Sequence, residues 1–166
     1  GRCGRGTGVV CDGRLWASRG AVDSLRPRNR GTGIRGGSAV AYRSIPLQAA
    51  YCGAKHAIHG CTDSVRSELL HDKIDIALCM IQLPAVNTPQ FDWCVNRMDK
   101  SLQPVPPIFQ PEIIAEAIHH ASLHPRREIF LGWPAIKAII GNEIAPGCAD
   151  HYLAHRGYEG QMTDEP

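Results

Sequence analysis

The sequence predicts an α/β fold in which helix, strand, helix, strand and helix follow one another, half of an open sheet with parallel strands. Three observations predict it. Apolar residues recur at helical spacing ahead of a short apolar run. That run lacks polar alternation, as a strand covered on both faces requires. Prolines stand where elements should open or stop.

Taken in order, Ala54, Ile58, Cys61, Val65 and Leu69 form one stripe at a period of 3.6 and predict a helix over about residues 48–71. The stretch "IDIALCMIQLP", 74–84, is the buried strand, ended by Pro84. A proline-rich stretch with the scattered aromatics Phe91, Trp93 and Phe109 reads as a long loop, either a lid over a substrate or ordinary packing. Pro111 suits the first turn of a second helix, with Ile113, Ile114, Ala117, Ile118 and Ala121 on its buried side and Pro125 beyond its end. "REIFLGW", 127–133, reads as the next strand, and Pro134 opens a last helix that Gly141 is placed to cap. The tail from Asn142 is mixed and should pack over the surface. Residues 1–36 give no secure element, with Gly31-Thr-Gly-Ile34 only a weak strand signal.

The chain has 166 residues, 43% of them hydrophobic and 20% charged, which fits one globular domain. The longest apolar run, Ile76 to Ile81, is too short to cross a bilayer, and no charged-then-apolar leader argues for secretion. Seven scattered cysteines with no C-x-x-C spacing indicate neither a zinc site nor a redox pair, and reduced thiols in a cytoplasmic protein are expected. The net charge of +2 conceals an asymmetry: residues 1–36 carry eight arginines against Asp12 and Asp23, while ten basic and fourteen acidic side chains follow. The chain is therefore expected to divide into an irregular arginine- and glycine-rich segment, 1–36, and a folded part, 37–166.

In open parallel sheets, ligands sit beyond the carboxyl ends of the strands. Ser38 follows "GTGIRGG", where a strand would end; Tyr51 comes thirteen residues later, early in the long helix, and Lys55 lies one turn on, facing the same way. The loop "LPAVNTP" leaves the 74–84 strand at the same edge. With this spacing, the sequence resembles the short-chain dehydrogenases/reductases. Their signature is a serine ending the fifth strand, Tyr-x-x-x-Lys thirteen residues on, and Pro-Gly-x-Val-x-Thr after the sixth. Ser38, Tyr51 and Lys55 match the first two parts. Leu83-Pro84-Ala85-Val86-Asn87-Thr88 keeps the valine and threonine but has Leu-Pro for Pro-Gly. The resemblance covers residues 37 to about 141.

The resemblance implies the carboxyl-terminal half of a Rossmann-like domain that oxidises alcohols or reduces carbonyls with NAD or NADP. Tyr51 would exchange the proton, Lys55 would favour its phenolate and hold the nicotinamide ribose, and Ser38 would polarise the substrate oxygen. Val86 and Thr88 would meet the nicotinamide carboxamide or a phosphate. Homodimers or homotetramers are implied, since members commonly pair through the tyrosine-bearing helix. The duller reading makes Tyr51 and Lys55 solvated helix neighbours and Thr88 loop filler, because Pro84 removes a backbone donor near the cofactor.

Other chemistries fit less well. Gly36-Gly37-Ser38-Ala39-Val40 lacks the last glycine of a hydrolase elbow. His120 and His124 stand at i, i+4 without a third ligand and read as solvated helix-end residues, so no metal site is expected. The arginine-rich start contains one aromatic, Trp16, too few to stack nucleic acid, and no nucleic-acid or membrane partner is expected. Gly1, Gly4 and Gly6 have no strand before them and are rejected as a phosphate-binding turn; Asn29 lies too close to Ser38 to be the family's asparagine. Two expectations follow: the catalytic part of an oxidoreductase, or a silent remnant without the cofactor-binding half and with an exposed sheet edge.

Overall fold

The computed structural model describes residues 29–90 and 99–163, together with residues 20, 22, 24, 25 and 27. The long apolar stretch becomes the central strand of a three-stranded parallel sheet, ordered β1 (Arg30–Ser38), β2 (Asp75–Leu83), β5 (Glu128–Phe130). β1 and β2 run in register from Arg30 opposite Asp75 to Ser38 opposite Leu83, so both strands end at one level. β5 pairs only the end of β2, from Met80 to Gln82.

Helix α1 (Ala49–His71) connects β1 to β2, and α2 (Pro111–Leu123) lies between β2 and β5. Alternate side chains of β2 point to opposite faces. Ile76 and Leu78 pack with Leu69 of α1, while Cys79 and Ile81 pack with Ala121 of α2. The sheet is thus covered on both faces, which is why β2 shows no polar alternation. β1 starts at Arg30, seven residues before Gly37, a start that its four glycines hide from any reading by side-chain pattern. Gly37 is where β1 meets the Gln82 amide so closely that no Cβ would fit.

Several boundaries differ from those expected, each for a local reason. Thr62, not Cys61, is fully buried on α1: its hydroxyl donates to the Ile58 carbonyl at 2.7 Å and accepts from Arg35 at 3.1 Å, so the polar atom enters the core satisfied. On α2 only Ile114 and Ala121 are buried; Ile113 and Ile118 are exposed because just one narrow face of this helix meets the sheet. The proline-rich stretch is not all loop, since β4 (Ile108–Phe109) lies within it and pairs with β3 (Ala85–Val86), which precedes it. Phe91 and Trp93 lie outside the described residues. The strand expected over 127–133 stops at Phe130, because Trp133 already begins α3 (Trp133–Ile144) after Gly132 at φ +88°. Gly141 lies inside α3 rather than capping it, and the tail forms a further helix, α4 (Pro146–Arg156). The end of α1 is closed without glycine: Lys73 takes φ +56°, and the Ile74 and Lys73 N–H groups bond the Leu69 and Leu70 carbonyls.

The connection from Ser38 to α1 is anchored on three sides. Tyr42 stacks edge-on against His59 of α1, donates its hydroxyl to Glu128 Oε2 at 2.5 Å and accepts from the buried Gln82 amide at 3.3 Å. Arg43 donates to Asn142 on α3 and Asp150 on α4. Buried Gln161 donates to the Pro46 carbonyl and accepts from Gln48. Burial pushes the Tyr42 phenol well above its ordinary range, and the Glu128 and Asp63 carboxylates add to that. Among the described residues, no helix is long and apolar enough to cross a membrane.

Two outcomes follow from this packing. Gly141 has open space around a would-be Cβ, so Gly141→Ala is expected to stabilise the fold by roughly 0.5–1 kcal/mol in urea titrations. Tyr42→Phe is expected to cost about 1.5–3 kcal/mol at neutral pH by removing a donor from a carboxylate. Because the folded state holds the Tyr42 proton more tightly than the unfolded chain, the native tyrosine contributes stability below about pH 10 and loses it as pH rises further. Melting temperatures across alkaline pH should show that fall in the native chain and a weaker one in Tyr42→Phe.

Candidate active site

Ser38 is the last residue of β1, in extended conformation (φ −163°), and caps the 3₁₀ turn Ala39–Ala41. Its Oγ accepts from the Val40 N–H at 3.5 Å, which leaves the hydroxyl proton free to be donated elsewhere. The turn packs against α1, so the chain reverses at the sheet edge and enters the helix beside the strand it has just left.

Tyr51 stands in the first turn of α1 and is 40% exposed. Lys55, one turn later, is half-buried, with its Nζ 5.4 Å from the centre of the Tyr51 ring. The i, i+4 spacing on a helix is what brings phenol and ammonium together. A cation over an aromatic face is also attracted by the ring itself. The structure therefore brings Tyr51 and Lys55 side by side and sets Ser38 at the aligned ends of β1 and β2.

The loop after β2 starts from that same level. Val86 is half-buried and pairs Phe109 across β3 and β4, and the Asn87 N–H donates to the Phe109 carbonyl at 2.9 Å. Thr88 is exposed. Pro84 has no N–H and that of Asn87 is used within the loop, so the groups here that face outward are fewer than a glycine in place of Pro84 would give.

The polar cluster of Tyr42, His59, Asp63, Gln82 and Glu128 escaped sequence reasoning. Two of its five members were visible in retrospect: His59 and Asp63 follow Tyr51 and Lys55 at every fourth residue, a continuous titratable stripe on α1. Asp63 accepts from Arg66 at 2.5 Å and Arg127 at 2.7 Å, and Arg66 also caps the Leu78 carbonyl beyond the start of β5. Glu128 and Arg127 come from the far end of the fold, where no spacing rule connects them to α1.

Residues 8–95 match the short chain dehydrogenase family, a span that takes in residues 8–36 as well as the Ser38, Tyr51 and Lys55 positions. An uncharacterized oxidoreductase of Bacillus subtilis (strain 168), YxnA, is 30% identical over 158 residues, 93% of this chain and 44% of that protein. The fold is similar to that of a short chain dehydrogenase from Burkholderia cenocepacia J2315, solved in complex with NADP: TM-score 0.67 at 20% identity, over 89% of this chain and 56% of that one. A short-chain dehydrogenase from Streptomyces avermitilis gives a TM-score of 0.56 at 16% identity, over 85% of this chain and 57% of its own. The chain spans about half the length of these relatives. Sheet order, helix placement and the family match over more than half its residues agree: this chain belongs to the short chain dehydrogenase family.

Proposed function

We propose that this chain supplies the catalytic half of an NAD- or NADP-dependent oxidoreductase that interconverts a small carbonyl compound and its alcohol. The observation that carries the reading is the Lys55 ammonium held 5.4 Å from the centre of the exposed Tyr51 ring, beside the strand that ends in Ser38. A nicotinamide cofactor, when bound, supplies or removes the hydride; the protein must orient the reactants and move a proton.

The donor set fits the nicotinamide end of such a cofactor. Lys55 offers three N–H donors to ribose hydroxyls, and the exposed Thr88 offers a hydroxyl to an amide or phosphate, with the Val86 backbone beside it. The relative solved with NADP shares this fold, which supports a dinucleotide ligand of either kind.

In the reducing direction, Tyr51 Oη gives its proton to the substrate oxygen as negative charge grows there; in the oxidising direction, the phenolate takes it back. A tyrosine ordinarily ionises near pH ~10, too high for easy exchange at neutral pH. The neighbouring Lys55 charge favours the phenolate and brings the group toward the working range. Ser38, whose Oγ already accepts from Val40, turns its own proton to the substrate oxygen and fixes it next to Tyr51. A proton donor, a charge that tunes it and a second hydrogen bond are thus carried by three residues on two adjoining elements.

Titration of NADH and NADPH, read by nicotinamide fluorescence, tests the cofactor: saturable binding supports the oxidoreductase, while no binding at millimolar dinucleotide supports the silent remnant. In a preparation that turns over, Tyr51→Phe is expected to lower kcat by roughly 10²–10⁴-fold, with dinucleotide affinity nearly unchanged. Lys55→Met should shift the pH profile of kcat to higher pH. Turnover retained in Tyr51→Phe would remove that residue from the chemistry.

A further inference from the structure

We infer that Gln161 is a positioning residue for Tyr51: it holds the first turn of α1 in place through Gln48 and, as part of a clasp made by the tail, ties that turn to the chain between Thr88 and α2. The inference rests on the reaction proposed above. Its starting point is a weakness in α1. Tyr51 stands in the first turn of that helix, and helix ends fray unless their free N–H groups are held. Gln48 supplies no side-chain cap, and the residue before it, Leu47, takes φ +66°. Local forces thus leave the proposed acid–base residue on the least secure turn of its helix.

The hold on that turn comes from the other end of the chain. Gln161 is 2% exposed. Its amide nitrogen donates to the Pro46 carbonyl at 3.1 Å and to the Gly157 carbonyl at 2.5 Å, and its amide oxygen accepts from Gln48 Nε2 at 2.7 Å. Its main-chain N–H donates to the Tyr158 carbonyl at 3.2 Å, and its main-chain carbonyl accepts from the Gln103 N–H at 3.0 Å. Both amide hydrogens, the amide oxygen and both main-chain groups are therefore engaged. An apolar side chain could fill this space, but it would leave the Pro46 and Gly157 carbonyls and the Gln48 amide without this partner.

Neighbouring residues extend the grip. Leu102 and Met162 form an antiparallel bridge, the Gln103 amide donates to the Met162 carbonyl at 2.9 Å, and the Thr163 N–H donates to the Ser101 carbonyl at 2.8 Å. At the end of α4, Gly157 meets Pro46 so closely that a Cβ would lie 2.8 Å from the proline ring. The tail thus joins residues 101–103 to the entry of α1. Enclosed at this depth, Gln161 acts on Tyr51 through Gln48, three residues earlier in the chain, rather than by meeting a ligand itself.

Gln161→Met and Gln48→Met, each near its parent in size, test the inference with two readouts. In a preparation that turns over, both should lower kcat roughly 10–100-fold, the scale of a small misplacement of a reacting group, with KM and dinucleotide affinity nearly unchanged. The double variant should be no slower than Gln161→Met, because the two residues act along one path. The second readout needs no turnover: in NMR spectra of the chain, both substitutions should shift or broaden the Tyr51 amide and ring signals and leave the amide signal of Met80, buried in β2, in place. Should Gln161→Met fail to fold, Gln48→Met decides alone. Unchanged kcat with a lowered melting temperature, losses in kcat that simply multiply in the double variant, or unmoved Tyr51 signals in a folded variant would each overturn the assignment. Failure of the reaction itself reads differently: turnover would persist in Tyr51→Phe while the NMR result stood.

Discussion

The connection between Ser38 and Tyr51 is the constraint on which the site depends. Ser38 is fixed by the pairing of β1 with β2, and Tyr51 by the packing of α1 on the sheet. Between them the chain makes a 3₁₀ turn, passes Pro46 and Leu47 at φ +66°, and enters a helix that has no side-chain cap at Gln48. Left to local forces, such a segment would take many shapes, each with a different distance between strand end and helix start. Tertiary contacts restrict it: Tyr42 to Glu128, Arg43 to Asn142 and Asp150, and Gln161 to Pro46. Pre-ordering matters for acid–base chemistry because a misplacement of about 1 Å can cost two orders of magnitude in rate.

Those contacts give the tail its role. Asn142, Asp150 and Gln161 lie in sequence that shows neither a strong apolar stripe nor a motif, yet they hold the connection from the opposite side. Gln161 is fully enclosed, bonding Pro46, Gln48 and Gly157 through its single amide. Buried amides of this kind specify one arrangement rather than merely adding stability, since any shift leaves a donor or acceptor unpaired. The segment that chemistry would use and the segment that supports it are therefore at opposite ends of the described chain.

The α1 helix has a similar double duty. One face supplies Cys52, Ala54, Ile58 and Leu69 to the core, and the next presents Tyr51, Lys55, His59 and Asp63 every fourth residue. At the amino-terminal end the stripe is open to solvent, where Tyr51 can meet a ligand. Further along, His59 meets Tyr42 and Glu128, and Asp63 pairs with Arg66 and Arg127. The same spacing thus gives a tyrosine–lysine pair at one end of the helix and a network of polar contacts to remote elements at the other, according to which elements lie beside each turn.

Sequence alone determined α1, β2, α2 and the identity of Ser38, Tyr51 and Lys55 as the residues to consider, because helical period, an unbroken apolar run and a fixed spacing are all local properties. It missed the extent of β1, whose glycines carry no side-chain pattern, and it placed Gly141 at a helix end when the helix runs through it. It carried no sign of Glu128 beside His59, sixty-nine residues apart. Only the tertiary structure decided that pairing and the anchoring of the Ser38–Tyr51 connection. The physical reason is that these depend on which side chains of remote elements come within bonding distance, and the winding of the sheet, not the order of residues, sets those distances.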